Sequence, residues 1–212
     1  MNMLVTAGPT REAIDPVRFL SNRSSGRMGF AVAAAAAEAG HAVRLVAGPV
    51  ALDAPAGVER INVLSAENMR AAVAGHVAWC DALVMAAAVA DWRPTAASDR
   101  KLKKGDGPMR LELERTADIL ESIKSLKGAR IVVGFAAETG DPVAEATRKL
   151  SAKGLDMIVA NDVSRPDAGF EVDTNAVTFI EPDGSTRHIE TAPKADIAAE
   201  IIKWIESRAL CT

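Results

Sequence analysis

The chain contains no tyrosine, only two cysteines and three histidines, and aromatic residues make up 4% of its 212 positions. Each scarcity removes a class of chemistry. A short-chain dehydrogenase would have no catalytic tyrosine here. Cys80 and Cys211 lie far apart and make no disulfide framework, a usage that suits a reducing cytosol. His41, His76 and His188 are scattered, and CxxC, HExxH and nucleophile-elbow patterns are all missing. A zinc site and covalent Ser or Cys catalysis therefore have no support. No apolar run is long enough for a membrane span: the most apolar stretch, Phe30 to Ala39, is short and interrupted by Glu38. The start shows no signal peptide, because strand-like sequence begins at once. A cytoplasmic location is the expectation. The net charge of −3 gives no general reason to expect nucleic-acid or membrane partners.

What is present is a regular alternation. Short β-branched runs at Met3 to Ala7, Ala42 to Ala47, Val58 to Val63, Asp81 to Ala86, Arg130 to Gly134 and Asp156 to Ala160 are separated by helical segments. That pattern predicts an α/β domain with a doubly wound, mostly parallel, Rossmann-like sheet. Gly40 is placed to stop the helix that begins near Met28, and Ser65 to cap the one that follows it. Ala176 to Ile180 and Thr186 to Ile189, joined across Pro182-Asp183-Gly184, predict a C-terminal β-hairpin portion at about 170–190. Periodicity fails over about 92–108, which reads as a long flap. The length fits a single domain over 1–212. Its abrupt start is equally consistent with a short native N-terminus and with excision from a longer polypeptide.

Four segments could carry chemistry. The run Ser21-Asn22-Arg23-Ser24-Ser25-Gly26 before the first helix suits phosphate at a helix N-terminus, or is simply a helix start capped by Ser24 or Ser25. Thr6-Ala7-Gly8-Pro9-Thr10 stands where a dinucleotide fingerprint would, but is neither G-x-G-x-x-G nor a P-loop. Asp91, following Ala86-Ala87-Ala88, could hold Mg²⁺ against phosphates, or cap a loop. Lys101-Leu102-Lys103-Lys104 is either a solvated charge run or a mobile arm that closes over polyphosphate.

Taken in order, GPTREAIDPVRFLSNRSSGRMGFAVA, AAAVADWRP, KLKK, GFAAET and IVANDVS resemble the bacterial phosphopantothenate–cysteine ligases over nearly the whole chain. The resemblance implies CTP-dependent ligation of 4′-phosphopantothenate and cysteine through an acyl-cytidylate, with Mg²⁺, in coenzyme A biosynthesis. It implies that Asn22 contacts the acyl group and serves the cysteine step, and that Arg18 and Ser24 hold the substrate phosphate. Asp91 would meet Mg²⁺ and the triphosphate, while Lys101 would serve the first step. Ala87, Ala88, Asp118 and Ile119 would lie against the nucleotide, with further nucleotide contacts from Gly8, Ser25, Gly26, Lys103, Lys104 and Phe135. A homodimer and a fused decarboxylase domain in the full-length protein are implied as well. Two positions depart from the family pattern: Arg27 stands where Lys is common, and Arg115-Thr116-Ala117 replaces a Lys-Asn-Pro stretch. The rival readings are a non-catalytic nucleotide-binding module and a dinucleotide-dependent reductase of similar fold.

Overall fold

Met3-Leu4-Val5 is a short, wholly apolar run with nothing polar to turn to solvent, and such a strand is stable only when covered on both faces. The computed structural model, which describes residues 1–104, 107–138, 142–162 and 172–210, places it at the centre of the sheet as β1 (Asn2–Ala7). Next come the short strands β2 (Arg11–Ala13) and β3 (Phe19–Ser21), then α1 (Arg27–Glu38), β4 (Ala42–Ala47), β5 (Val58–Asn62) and α2 (Ala66–His76). The middle of the chain supplies β6 (Ala82–Met85), β7 (Trp92–Pro94), β8 (Leu113–Arg115), α3 (Ile119–Ile123), β9 (Ile131–Glu138), α4 (Pro142–Lys153) and β10 (Met157–Asp162). The chain closes with β11 (Thr174–Ile180), β12 (Thr186–Pro193) and α5 (Lys194–Ala209).

Eight strands form one sheet in the order β12-β11-β10-β9-β6-β1-β4-β5. All pairings from β5 to β10 are parallel, and β11 and β12 add antiparallel at one edge. The chain winds outward from β1 in both directions, so the doubly wound architecture is present, with its switch point between β1 and β6. The C-terminal hairpin is present too, and β12 runs on to Pro193. Helices α1 and α5 cover one face over a core that includes Val5, Phe30, Val133 and Ile201. Helices α2, α3 and α4 cover the other over Leu4, Met69, Leu83, Ile123 and Leu150.

The helix ends follow the sequence. Gly40, at φ 83°, donates to the Ala37 carbonyl while His41 donates to that of Ala36, which closes α1 in a Schellman motif. Ser65 caps α2 in a full capping box with Asn68, and the buried Glu12 accepts the Ala66 N–H at 2.8 Å.

Two small ribbons lie outside the large sheet. β2 pairs with β3 where the sequence reads as a long loop, and β7, the start of the expected flap, pairs antiparallel with β8, which falls at the strand expected near Arg110 to Glu114. The three-residue strands β2, β3 and β7 carry no usable alternation, so only their cross-strand partners reveal them. Residues 105–106 of the expected flap, Thr139, Val163-Ser164 and Cys211 lie outside the described residues, as does the start of the hairpin portion at 170–171. Among the described residues no helix is long and apolar enough to cross a membrane.

Candidate active site

The carboxyl ends of β1 and β6 meet at the switch point, and three glycines let the backbone close there. Gly8 leaves β1 at φ 77°, and Gly26 starts α1 in the left-handed region at φ 79° with no side-chain cap. A Cβ on Gly26 would lie 3.3 Å from the Gly8 Cα, so the two glycines back each other. Gly29 packs α1 onto β1 so closely that a Cβ would lie 2.5 Å from the Ala7 Cβ. These are the jobs a dinucleotide fingerprint performs in one short turn, here divided by the loop of residues 9–25. Neither Ser24 nor Ser25 caps the helix; Ser24 Oγ accepts the Gly26 N–H at 3.3 Å within the loop. The helix start thus turns its peptide dipoles toward the cleft, a setting that favours an anion.

Across from it, the segment after β6 is fixed by side chains from four places. Thr6 Oγ1 accepts the Ala87 N–H at 3.2 Å, and Thr10 Oγ1 accepts the Ala90 N–H at 2.9 Å. Thr116 Oγ1 donates to the Ala90 carbonyl at 2.6 Å. Asn22 Nδ2 donates to the carbonyls of Ala88 and Val89 at 3.1 and 3.0 Å. Carbonyls only accept, so the amide orientation of Asn22 follows from its partners, and Oδ1 is the atom left for a ligand. Asp91 follows on the same segment, exposed, with no side-chain hydrogen bond among the described residues.

Between these walls lies a cleft of about 460 Å³ that crosses the carboxyl edge of β6, β9 and β10. Its middle is apolar, formed by Ala86, Ala87, Ala88, Phe135 and Ala136. At the α1 and α5 end stand Arg27, Asn161, Asn175 and Lys194. Arg27 pairs with Asp173 at 2.7 Å, and burial together with the nearby Arg27 charge holds the Lys194 ammonium below its ordinary value. At the α3 and α4 end stand Asp118, Lys149 and Lys153. Asp118 caps α3 through the Glu121 N–H and pairs with Lys153 at 2.9 Å. Burial works to raise the Asp118 carboxyl, but Lys153 and the capping N–H groups prevail and hold it low. No cysteine or histidine lines the cleft among the described residues.

The cleft gathers Asn22, Ser24, Ser25, Gly26 and Asp91 from the expected set. It also gathers Ala87, Ala88, Asp118, Ile119 and Phe135. Gly8 lies beneath Gly26 and does not line it. Arg18, Lys101, Lys103 and Lys104 stand outside the lining. Arg18 is bound to Asp15 and to the Leu102 carbonyl, and the three lysines are exposed, with no ion pair among the described residues. The sequence reading missed Lys149, Lys153, Asn175 and Lys194, which sit on elements remote in sequence. Asn161 was legible, as a polar residue ending the apolar run Ile158-Val159-Ala160.

Residues 1–209 match the family described as the DNA/pantothenate metabolism flavoprotein C-terminal domain. The chain belongs to that family. The resemblance drawn from the motifs is therefore borne out. A coenzyme A biosynthesis bifunctional protein CoaBC of Bacillus subtilis is 50% identical over 205 residues, covering 96% of this chain and 50% of the relative. The protein of that name from Mycobacterium tuberculosis is 46% identical over 215 residues, covering 96% and 51%. The chain thus spans about half the length of these curated relatives. Among solved structures, the C-terminal domain of a CoaBC protein superposes with a TM-score of 0.85 at 41% identity, over 100% of this chain and 96% of that one. A DNA/pantothenate metabolism flavoprotein from Streptococcus pneumoniae shares the fold, with a TM-score of 0.86 at 22% identity, over 98% and 99%.

Proposed function

We propose that this domain joins 4′-phosphopantothenate to cysteine with CTP, releasing pyrophosphate in a first step and CMP in a second. The observation that carries the reading is one cleft, in a member of this family, that faces Asn22 and Asp91 across the uncapped start of α1 and contains no thiol or imidazole among the described residues. A carboxylate is a poor acyl donor and needs a leaving group before an amine can attack it. In the first step a substrate carboxylate oxygen bonds to the α-phosphorus of CTP, and the bond to pyrophosphate breaks. In the second the cysteine amine bonds to the acyl carbon, CMP departs with the electron pair of the acyl C–O bond, and the amine loses a proton. Such transfers rest on positioning and electrostatics, so a cleft without a protein nucleophile suits them.

Within this reading the α1 start, Ser24, Ser25, Gly26 and Arg27 take phosphate, and the apolar middle lies against the nucleoside. Lys149, Lys153 and Lys194 add positive charge at the two ends. Asn22 offers an acceptor, which fits an N–H of the incoming amine. Lys101, Lys103 and Lys104 act from the flap on the phosphates. Arg18 offers the phosphate of the acid Nη1, the guanidinium nitrogen that Asp15 and Leu102 do not hold and that meets only the Met109 sulfur at 3.9 Å among the described residues. Asp91 suits Mg²⁺ carried in with the nucleotide, since one carboxylate plus phosphate oxygens is a usual magnesium set. Among the described residues no cluster of three or more His, Cys, Asp or Glu could hold a resident ion. The ion would supply charge neutralisation at the phosphates.

A homodimer belongs to the same proposal. Val17, Phe19, Trp92, Met109 and Leu113 are exposed apolar side chains on or beside the β2–β3 and β7–β8 ribbons, a concentration that favours a protein partner. Fusion to a decarboxylase domain is supported by the bifunctional names of the relatives, of which this chain covers half.

Pyrophosphate release with 4′-phosphopantothenate and Mg²⁺, comparing CTP with ATP and with and without cysteine, tests the reading. CTP-dependent release, with CMP appearing once cysteine is added, is the expected result. Folded, dimeric protein that releases no pyrophosphate with either nucleotide would overturn it.

A further inference from the structure

The motif Asp15-Pro16-Val17-Arg18 finds no place in the cleft, yet among the described residues its carboxylate is the most heavily bonded. The Asp15 side chain is fully buried. Its Oδ1 accepts the N–H groups of Val17 and Arg18, both at 2.9 Å. Its Oδ2 accepts Arg18 Nε at 3.0 Å, a second guanidinium nitrogen, and the N–H of Leu102 at 3.1 Å. Arg18 Nη2 also donates to the Leu102 carbonyl at 2.8 Å. Both backbone polar groups of Leu102 are therefore held by one Asp–Arg pair whose members lie 87 and 84 residues away. Four residues upstream, the Ser98 N–H donates to the Ile14 carbonyl at 2.9 Å, so the flap lies along residues 14–18 at two points.

We propose that Asp15, acting with Arg18, is a positioning residue that anchors the flap at Leu102 and thereby sets where Lys101 and Lys103 sit. The physical need is plain. Between β7 and β8 none of the described residues belongs to a strand, and the entropy of an unanchored loop of that length opposes any fixed placement of its lysines. A clasp on the residue between two lysines fixes both with one interaction. A buried carboxylate suits the task because its bonds are charge-assisted and its loss is not repaired by water. The Arg18 guanidinium, against the opposing effect of burial, holds this carboxyl well below the usual range, so the clasp stays ionised through the physiological span. Lys101 and Lys103 remain exposed and unpaired among the described residues, so the anchor places them without occupying their charges.

The anchor itself stands on the geometry alone. Only its consequence for catalysis rests on the ligase reading above. The test therefore pairs a structural readout with a kinetic one, in Asp15→Asn and in Leu102→Pro. The second variant removes a single N–H from an exposed segment and leaves the buried pair intact, which protects the test against a fold that fails. Native-state trypsin cleavage after Lys103, a bond that neither substitution alters, should quicken about tenfold in both variants, the loss expected for one charge-assisted bond. Leu102→Pro should keep the thermal midpoint of the wild type. The pyrophosphate-release kcat should fall by a similar factor with the KM for CTP little changed, because the lysines are still present but no longer placed. A purely structural role would instead lower the midpoint and leave the flap cut at the wild-type rate. Flap cleavage at the wild-type rate in both variants overturns the anchor. Faster cleavage in the variants of a protein whose wild type releases no pyrophosphate upholds the anchor and overturns the ligase reading alone.

Discussion

The side-chain nitrogen of Asn22 donates to the Val89 carbonyl at 3.0 Å and reaches the Ala88 carbonyl at 3.1 Å. This relationship ties the loop before α1 to the segment that carries Asp91, and it decides which atom Asn22 presents to substrate. In Asn22→Asp the donors vanish and a carboxylate faces two carbonyls. The three threonines still hold the segment, so activation of the acid should persist. The cysteine step should slow on the order of 100-fold, the scale of losing one aligned polar contact in a transition state. Mass spectrometry of the reaction mixture should show an acyl-cytidylate that the wild type does not accumulate. Normal turnover without that species would remove Asn22 from the second step.

Lys101→Gln should act on the other half of the reaction. The lysine is exposed on the flap and makes no ion pair among the described residues, so its removal disturbs no packing. Pyrophosphate release should fall by at least about 100-fold, with an unchanged melting temperature. Conversion of separately supplied acyl-cytidylate should be nearly unaffected. Undiminished release of pyrophosphate would assign the flap charge no part in the first step.

How much of this could be read from the chain follows from what periodicity encodes. The strands β1, β6 and β10 are apolar runs buried on both faces, and Gly40 and Ser65 do at the helix ends what their chemistry predicts. Asn22, Ser24 and Asp91 were legible because they lie on loops that leave the carboxyl ends of strands. Lys149 and Lys153 look like ordinary solvent-facing helix residues one turn apart. Only the position of α4 over β9 and β10 turns them into the cleft. Arg18 shows the converse. Its type and motif suit a phosphate, but the partner that holds it, Asp15, is three residues away, and the flap backbone it grips is encoded in no side chain.

Cys80 gives a prediction about pH. It is 3% exposed, and burial pushes its thiol up to about 11 from an ordinary 9.0, against the smaller opposing pull of Arg130. The unfolded thiol ionises near 9 while the folded one keeps its proton. Stability from this group is therefore intact below pH 9 and is lost as pH rises toward 11. In a Cys211→Ser background, maleimide labelling at pH 8 should run about 100-fold slower than for a free thiol, following the lost thiolate fraction. The stability difference between that protein and its Cys80→Ala derivative should narrow above pH 9. Rapid labelling of folded protein at pH 8 would contradict the burial.

Two glycines in helices should respond to the same substitution with opposite signs. A Cβ at Gly29 would lie 2.5 Å from the Ala7 Cβ and 2.8 Å from the Thr6 carbonyl oxygen. Neither atom belongs to a flexible side-chain end, so α1 itself must move outward from β1. Gly29→Ala should cost about 2 kcal/mol in denaturant unfolding, the usual range for overpacking. It should also weaken CTP binding, because the α1 start that faces the cleft moves with the helix. At Gly75 in α2 a Cβ would meet nothing within 4 Å. There the alanine only reduces the freedom of the unfolded chain and favours the helix, so Gly75→Ala should stabilise by about 0.5–1 kcal/mol and leave CTP binding unchanged. Equal effects at the two positions would mean that α1 does not rest on β1 at Gly29, and the glycine there would then have no part in bringing the helix start to the cleft.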